Sequence, residues 1–248
     1  MSVDGVALAD EGVGDAIAMN PEQAASLLAQ TPIFRDIPRD ILEDLARASV
    51  ERTYRKGQPV FHEEDPGDAL FLVVEGLVKV FVTSEEGDEM VLVVVRPPEV
   101  FGELALIDGG RRSASAETLE ATTLLALDRR TFLELLKRDA RLSEALLRSL
   151  GGLIRRLTGQ ASDFVFLDLA GRVAKLLLAL ADEGSGAGET PGAFDLHMSQ
   201  ANFAGMVGGS RQSVNQILHD FERRGYLEIH GREIVLKKID LLQRRAGL

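Results

Sequence analysis

Apolar positions along this chain change their spacing several times, and each change predicts a different kind of element. Pro21 to Gln30 carries Ala24, Leu27 and Leu28 at helical spacing, and Pro38 to Ala48 repeats it with Ile41, Leu42 and Leu45. Two short helices are expected there. From Thr53 the pattern turns strand-like. Short Val/Leu/Phe-rich runs are cut every eight to twelve residues by Gly57-Gln-Pro59, Asp65-Pro-Gly67, Gly76, Glu86-Gly-Asp88 and Pro97-Pro98. That rhythm predicts an antiparallel sandwich or barrel. Leu77–Thr83 and Met90–Val95 flank Glu85–Asp88 as a hairpin. Strands resume at Ala114–Glu117 and Thr123–Leu127.

Helical spacing returns at Thr131–Lys137 and continues in a long helix from about Leu142 to Phe166. Leu146, Leu150, Leu153, Leu157, Gln160 and Phe164 step by four and three, a heptad seam with one polar member. The same spacing serves a helix packed on its own β-domain. A dimer helix is the preferred reading, because Gly151, Gly152 and Gly159 permit close approach and a lone polar seam residue fixes register. Phe166–Gly171 breaks the seam, Arg172–Ala181 predicts a strongly apolar helix, and Gly184–Gly192 a flexible loop. Beyond it, Ser199 caps a helix over Gln200–Met206, Val207-Gly-Gly-Ser210 makes a tight turn with a second cap, and Arg211–Glu222 forms a second helix. Helix, glycine turn, helix is the helix-turn-helix layout, although two helices so joined also occur as plain structural units. Phe203, Met206, Val207, Val214, Ile217, Leu218 and Phe221 supply the packing face. Arg211, Gln212, Asn215 and Gln216 are left to hydrogen-bond base edges or phosphates. Gly225–Leu236 reads as a β-hairpin wing.

Charge first argues against a nucleic-acid partner and then restores it. The 248 residues carry a net charge of −11. From Asp195 onward, however, eight Lys and Arg stand against six Asp and Glu, which is +2 and leaves −13 on the remainder. That sign change marks a domain boundary and keeps a DNA-binding C-terminal part open. Cysteine is absent, which excludes disulfides, thiolate catalysis and Cys-ligated zinc or iron–sulfur sites. His62, His197, His219 and His230 lack metal-ligand spacing, so no metal site is expected. No apolar run reaches membrane-spanning length, Met90–Val95 being among the longest and only strand-sized. Residues 1–20 are acidic, lack the layout of a signal peptide and read as a disordered tail. A cytoplasmic protein with no membrane partner fits all of this.

Candidate chemistry concentrates in Phe101-Gly-Glu-Leu-Ala-Leu-Ile-Asp-Gly-Gly-Arg-Arg-Ser-Ala114. Glycines let backbone approach a ligand closely, free amides at a short turn favour an anion, and Arg with Ser offers donors for phosphate oxygens. Glu103 has the wrong sign for phosphate and suits sugar hydroxyls. Together they suggest a pocket for a phosphorylated sugar. Alone, the stretch equally suits a glycine-rich hairpin with solvated arginines. Glu103 and Asp108 also form a carboxylate pair, but no nucleophile and base accompany them, so an enzyme is not the expected reading.

Three stretches, Phe101-Gly-Glu-Leu…Arg-Ser-Ala114, Phe166-Leu-Asp-x-x-Gly-Arg172 and Val207-Gly-x-Ser-Arg-x-x-Val214, together resemble the cyclic-AMP receptor protein / fumarate–nitrate reductase regulator family of bacterial transcription factors. The resemblance spans roughly Ile33 to Leu236. It implies an α+β chain: a cyclic-nucleotide-binding β-roll of antiparallel jelly-roll type, a long dimerisation helix and a C-terminal winged helix-turn-helix. The expected divisions are 1–20 tail, 21–138 sensor, 139–168 dimer helix and hinge, and 169–248 DNA-binding domain. By the same resemblance Glu103 accepts from the ribose 2′-hydroxyl and Arg112 pairs with the cyclic phosphate. Ser113, with the amides of Phe101, Gly102, Leu104 and Ala105 around it, completes the cradle, and Val80 and Leu92 line the wall. Gln200, Ser210, His230 and Arg232 are phosphate contacts, and Arg211, Gln212, Ser213, Asn215 and Gln216 form the reading helix. The implied partners are a palindromic duplex, a second copy of the chain, a nucleotide effector and RNA polymerase.

The departures bear on the effector and the operator. A polar pair that reads adenine in cyclic-AMP-responsive members aligns with Leu157 and Thr158, and a wall serine aligns with Val93. Cyclic AMP remains the expected effector, with cyclic GMP, cyclic di-GMP or ligand-independent activity as alternatives. A cyclic-nucleotide-sensing regulatory subunit of another protein is the further alternative. On the reading helix Gln212 replaces the family's usual glutamate and Gln216 its last basic residue, which predicts a half-site shifted from TGTGA.

Overall fold

A computed structural model describes residues 19–184, 192–196 and 198–248. The first eighteen residues of the expected tail, and 185–191 of the expected loop, lie outside the described residues. The chain divides into two compact units, residues 1–80 with 94–149, and residues 81–93 with 150–248.

The first unit opens with α1 (Pro21–Leu28) and α2 (Arg39–Ala48). Asn20 caps α1, its side chain accepting from the Gln23 amide at 2.8 Å, with proline at the first helical position. There follow β1 (Ser49–Tyr54), β2 (Pro59–Phe61), β3 (Ala69–Glu75), β4 (Val78–Thr83), β5 (Glu89–Val95) and β6 (Val100–Phe101). A short α3 (Glu103–Asp108), then β7 (Ser115–Thr118), β8 (Thr122–Asp128) and α4 (Arg129–Arg138) complete the layout. The strands make two four-stranded sheets, in the orders β1-β8-β3-β6 and β2-β7-β4-β5. The sheets meet where Phe61 of β2 lies 5.8 Å from Phe71 of β3 and 5.9 Å from Phe101 of β6, ring centre to ring centre. Edge and face contacts at these separations add to the area that burial removes from water. The hairpin end of β4 and β5, residues 81–93, groups with the second unit.

Two local readings change. The first strand starts at Ser49 rather than Thr53, paired in register from Ser49 opposite Leu127 to Tyr54 opposite Thr122. Its one large apolar side chain, Val50, is exposed, so the stretch has no alternating pattern to read. The short turn expected after Gly102 is a six-residue helix, α3.

The helix α5 (Ala140–Phe166) runs from the first unit into the second. The second unit adds α6 (Leu169–Gly184), β9 (Ala193–Asp195), α7 (Gln200–Val207), α8 (Arg211–Arg223), β10 (Leu227–His230), β11 (Glu233–Leu236) and α9 (Ile239–Arg245). Val173, Ala174 and Leu177 of α6 are fully buried, and the helix packs on α7, α8 and α9. Ser199 caps α7 by accepting from the Asn202 amide, and Ser210 caps α8 by accepting from the Ser213 amide, both at 3.1 Å. Gly208, at φ +62, turns the chain between them; a Cβ there would collide with the Phe164 ring. The wing is a three-stranded sheet, because β9 pairs with β11 beside the expected hairpin. Neither β9, only three residues long, nor α9 carries a clear periodic signal.

Candidate nucleotide cradle and helix-turn-helix surface

The first unit closes its apolar core around a charge. Arg112 is 2 % exposed. Its Nη1 donates to the Gly102 carbonyl oxygen at 2.9 Å and its Nη2 to that of Ala69 at 2.7 Å. The guanidinium lies 4.2 Å from the Phe61 ring centre and 5.6 Å from that of Phe71. Two aromatic faces and two carbonyl dipoles stabilise a cation without neutralising it. Asp68 comes into ion-pair range at 3.7 Å and is itself largely exposed. Burial therefore pushes the Arg112 pKa below the usual arginine value, while Asp68, Asp65 and Glu103 pull it back. One donor is left over: Arg112 Nε is buried and has no hydrogen-bond partner. A buried unpaired N–H beside an under-compensated positive charge favours an anion.

The surrounding backbone is shaped for that arginine. Gly102 is left-handed, at φ +81, where L side chains are strained. A Cβ at Gly102 would sit 2.7 Å from Arg112 Nη1. The Arg112 amide donates to the Asp65 carbonyl oxygen, and its own carbonyl accepts from the Glu64 amide, both at 2.9 Å. Phe101 and Ala105 are buried, Glu103 is half-buried, and Leu104 and Ser113 are exposed. Arg111 is exposed; its Nη1 donates to the Glu64 carbonyl oxygen and its Nε lies 4.0 Å from the Glu64 carboxylate. Asp108 accepts from the Gly110 amide at 2.8 Å and so serves the turn. Phe61, Asp68, Ala69 and Phe71 were invisible as site residues; Asp65-Pro-Gly67 registered only as turn punctuation. Of the remaining expected ligand residues, Val80 is half-buried in the first unit, whereas Leu92, Leu157 and Thr158 belong to the second.

In the second unit Arg172 gathers the end of α5 and the turn of the helix-turn-helix. Its Nε donates to the Val207 carbonyl oxygen at 2.8 Å and its Nη1 to that of Leu167 at 2.9 Å, and the guanidinium stacks 4.8 Å from the Phe164 ring. Asp168 accepts from the Gly171 amide and pairs with Arg245 at 2.6 Å. The Phe166–Arg172 motif is thus a joint whose polar groups are satisfied.

Two members of the expected seam have partners within their own chain. Leu146 is 6 % exposed and packed within the first unit, and Gln160 donates to the carbonyl oxygen of Leu92 of its own chain. Leu150 and Leu153 are half-buried. α5 leaves open Leu147 at 68 %, Ile154 at 63 %, Leu157 at 42 % and Phe164 at 37 %, with Val165 and Phe166 exposed at its end.

On α8, Val214, Leu218 and Phe221 are buried, while Arg211, Gln212 and Gln216 are exposed and Ser213 and Asn215 half-buried. Ser210 is held as a cap, sharing a further 2.9 Å hydrogen bond with the Ser213 hydroxyl. Gln200 is exposed at the start of α7. His230 is exposed with Glu228 at 3.4 Å, and Arg232 reaches the Leu196 carbonyl oxygen at 3.4 Å. His219 and Arg223, also exposed, extend the outer face of α8 beyond the residues anticipated from sequence.

Residues 51–139 match the cyclic nucleotide-binding domain family and residues 171–245 the Crp-like helix-turn-helix domain. The chain belongs to the CRP/FNR family of transcription regulators. It is 33 % identical over 221 residues to the CRP-like cAMP-activated global transcriptional regulator of Mycobacterium tuberculosis, covering 89 % of this chain and 98 % of that one. It is also 33 % identical to the cyclic AMP receptor protein of Thermus thermophilus, over 86 % of this chain and 95 % of that protein. The solved structure of CLP, the c-di-GMP responsive global regulator of Xanthomonas campestris, matches with a TM-score of 0.70 at 26 % identity, over 80 % of this chain and 99 % of that one. This family member is accordingly a DNA-binding regulator with a cyclic-nucleotide-binding domain, and not an enzyme. Among the described residues no helix is long and apolar enough to cross a membrane.

Proposed function

We propose that the chain acts in the cytoplasm as a homodimeric, effector-gated transcription regulator. A cyclic nucleotide enters the Arg112 cradle and a palindromic operator is read by paired recognition helices. The observation that carries the effector half is the unpaired, buried Arg112 Nε beside Gly102. An equatorial phosphate oxygen satisfies that donor and supplies the missing negative charge. Glu103 accepts from a ribose hydroxyl, Ser113 with the amides from Gly102 to Ala105 completes the phosphate cradle, and Val80 and Leu92 form the wall.

Cyclic AMP is the effector we assign first, supported by the names of the Mycobacterium and Thermus relatives. Leu157 supplies no polar group at the base-reading position, so Thr158 alone carries that role and discrimination among bases is weak. Cyclic GMP, cyclic di-GMP (to which the Xanthomonas regulator responds) and ligand-independent activity are the competing outcomes. Dimerisation uses the open face of α5, Leu147, Leu150, Ile154, Leu157 and Phe164, because isolated apolar side chains at heptad spacing gain most from a second copy. Effector binding shifts a pre-existing equilibrium, and the Phe166–Gly171 joint sets the recognition helices one DNA turn apart. Arg211 reads guanine and Gln216 adenine, Gln200, Ser210, His230 and Arg232 hold phosphates, and RNA polymerase is the downstream partner.

Calorimetric titration with cyclic AMP, cyclic GMP and cyclic di-GMP, beside Arg112→Ala, tests the cradle. Micromolar binding by one nucleotide, lost in the variant, is expected. No binding by a folded protein that still shifts DNA would transfer the assignment to ligand-independent activity. Random-oligonucleotide selection tests the reading helix, and recovery of unaltered TGTGA half-sites as the top motif would refute its assignment.

A further inference from the structure

Beside the recognition helix lies a groove of about 770 Å³, walled by α8 on one side and α9 on the other. At about 100° per residue, Gln212, Gln216 and Arg223 lie opposite the buried Val214, Leu218 and Phe221. Ser213 and Arg224 lie to one flank of that outward face and line the groove, and Gln216 reaches its rim. The groove therefore opens directly beside the positions that face bases. A helix laid in the major groove has a sugar–phosphate strand passing along each flank. The charge on this flank suits such a strand. Three arginines, Arg224, Arg244 and Arg245, line the groove and Arg223 stands on the neighbouring outward face, against the carboxylates of Asp220 and Asp168. Asp220 is shared by Arg223 at 2.9 Å and Arg224 at 2.7 Å, and Asp168 pairs with Arg245 at 2.6 Å. Arg244 is exposed and makes no ion pair among the described residues.

We propose that α9 is part of the DNA interface: Arg244, with Arg224 across the groove, grips the phosphate strand that flanks the recognition helix. The contact is to backbone, so it adds affinity without changing base preference. This rests on the helix-turn-helix reading its site through α8.

The test is the salt dependence of duplex binding by the full-length protein. Each phosphate contact contributes about 0.9 to the slope of log K against log salt on B-DNA. Arg244→Gln is expected to lower the slope by about one and to weaken cognate and scrambled duplexes by the same factor. Arg130→Gln, an equal charge change in the first unit, is expected to leave both unchanged. Replacing single phosphates by neutral methylphosphonates should reveal one flanking position that weakens the wild type and leaves Arg244→Gln unaffected. A slope equal to the wild type's, or a loss confined to the cognate sequence, would overturn the proposal. Failure of the wild type to bind any duplex would instead remove the DNA reading beneath it.

Discussion

The side-chain amide of Gln160 donates to the main-chain oxygen of Leu92 across 3.1 Å. It thereby joins the long helix to the hairpin segment 81–93, which groups with it in the second unit. In a heptad reading Gln160 is a register-setting residue for a partner helix; in the folded chain its donor already has an acceptor. A net hydrogen bond contributes about 1 kcal/mol. Gln160→Leu is therefore expected to raise amide exchange in 81–93 roughly fivefold, with 140–149 unchanged. Equal protection in variant and wild type would show that the hairpin is held by apolar contact alone.

Gly102 and Gly57 separate backbone strain from crowding. Both have positive φ, +81 and +73, but a Cβ at Gly57 meets nothing within 4 Å while one at Gly102 meets Arg112 Nη1. Gly57→Ala should show only the left-handed penalty of about 1–2 kcal/mol. Gly102→Ala should fall further in urea unfolding and also displace Arg112. Loss of nucleotide-dependent thermal stabilisation is expected in Gly102→Ala and not in Gly57→Ala. Identical behaviour of the two would disprove the crowding.

Arg172 serves three carbonyls and a ring face at once. Lysine keeps the charge but has no planar fork, so Arg172→Lys leaves carbonyls unpaired and the Phe164 ring uncovered. A loss of about 2 kcal/mol follows, which for a chain of this size lowers the melting temperature by roughly 4–8 °C. A melting temperature within a degree of the wild type would show the joint to be held elsewhere.

Asp128 caps α4, accepting from the Thr131 hydroxyl at 2.6 Å and the Thr131 amide at 3.0 Å. These bonds, the hydroxyl's first, hold its pKa below the usual carboxylate value. The folded state then binds the proton less readily than the unfolded state. Its stabilisation is fully present above the unfolded pKa of about 3.9 and is lost as pH falls through the lower folded value. The urea midpoint of Asp128→Asn should lie below that of the wild type at pH 6, with the gap closing below about pH 4. A gap independent of pH would mean that the cap acts through geometry and not through charge.

Much of this architecture was legible because it is written in local chemistry. Ser199 and Ser210 preceding apolar helices, and Gly208 between them, need only their next few neighbours to act, and the structure uses all three as read. The Glu85–Asp88 turn and the alternating runs beside it are equally local. Signals failed where an element had no repeating pattern, as in Ser49–Tyr54, or too few residues, as in β9.

The candidate site was legible by residue type and not by arrangement. Arg112 stood out within a glycine-rich stretch, but its burial depends on Phe61, Ala69 and Phe71, which lie some forty to fifty positions earlier in the chain. No local pattern encodes which of an arginine's donors will be left over. Gln160 shows the same limit: helical spacing placed it on a seam, and Leu92, 68 residues away, claimed its amide. Periodicity and capping residues reach a few positions along the chain, so sequence specifies elements and the families of chemistry they carry. Burial, charge compensation and the α8–α9 groove arise from residues that meet only on folding, and those were settled in three dimensions.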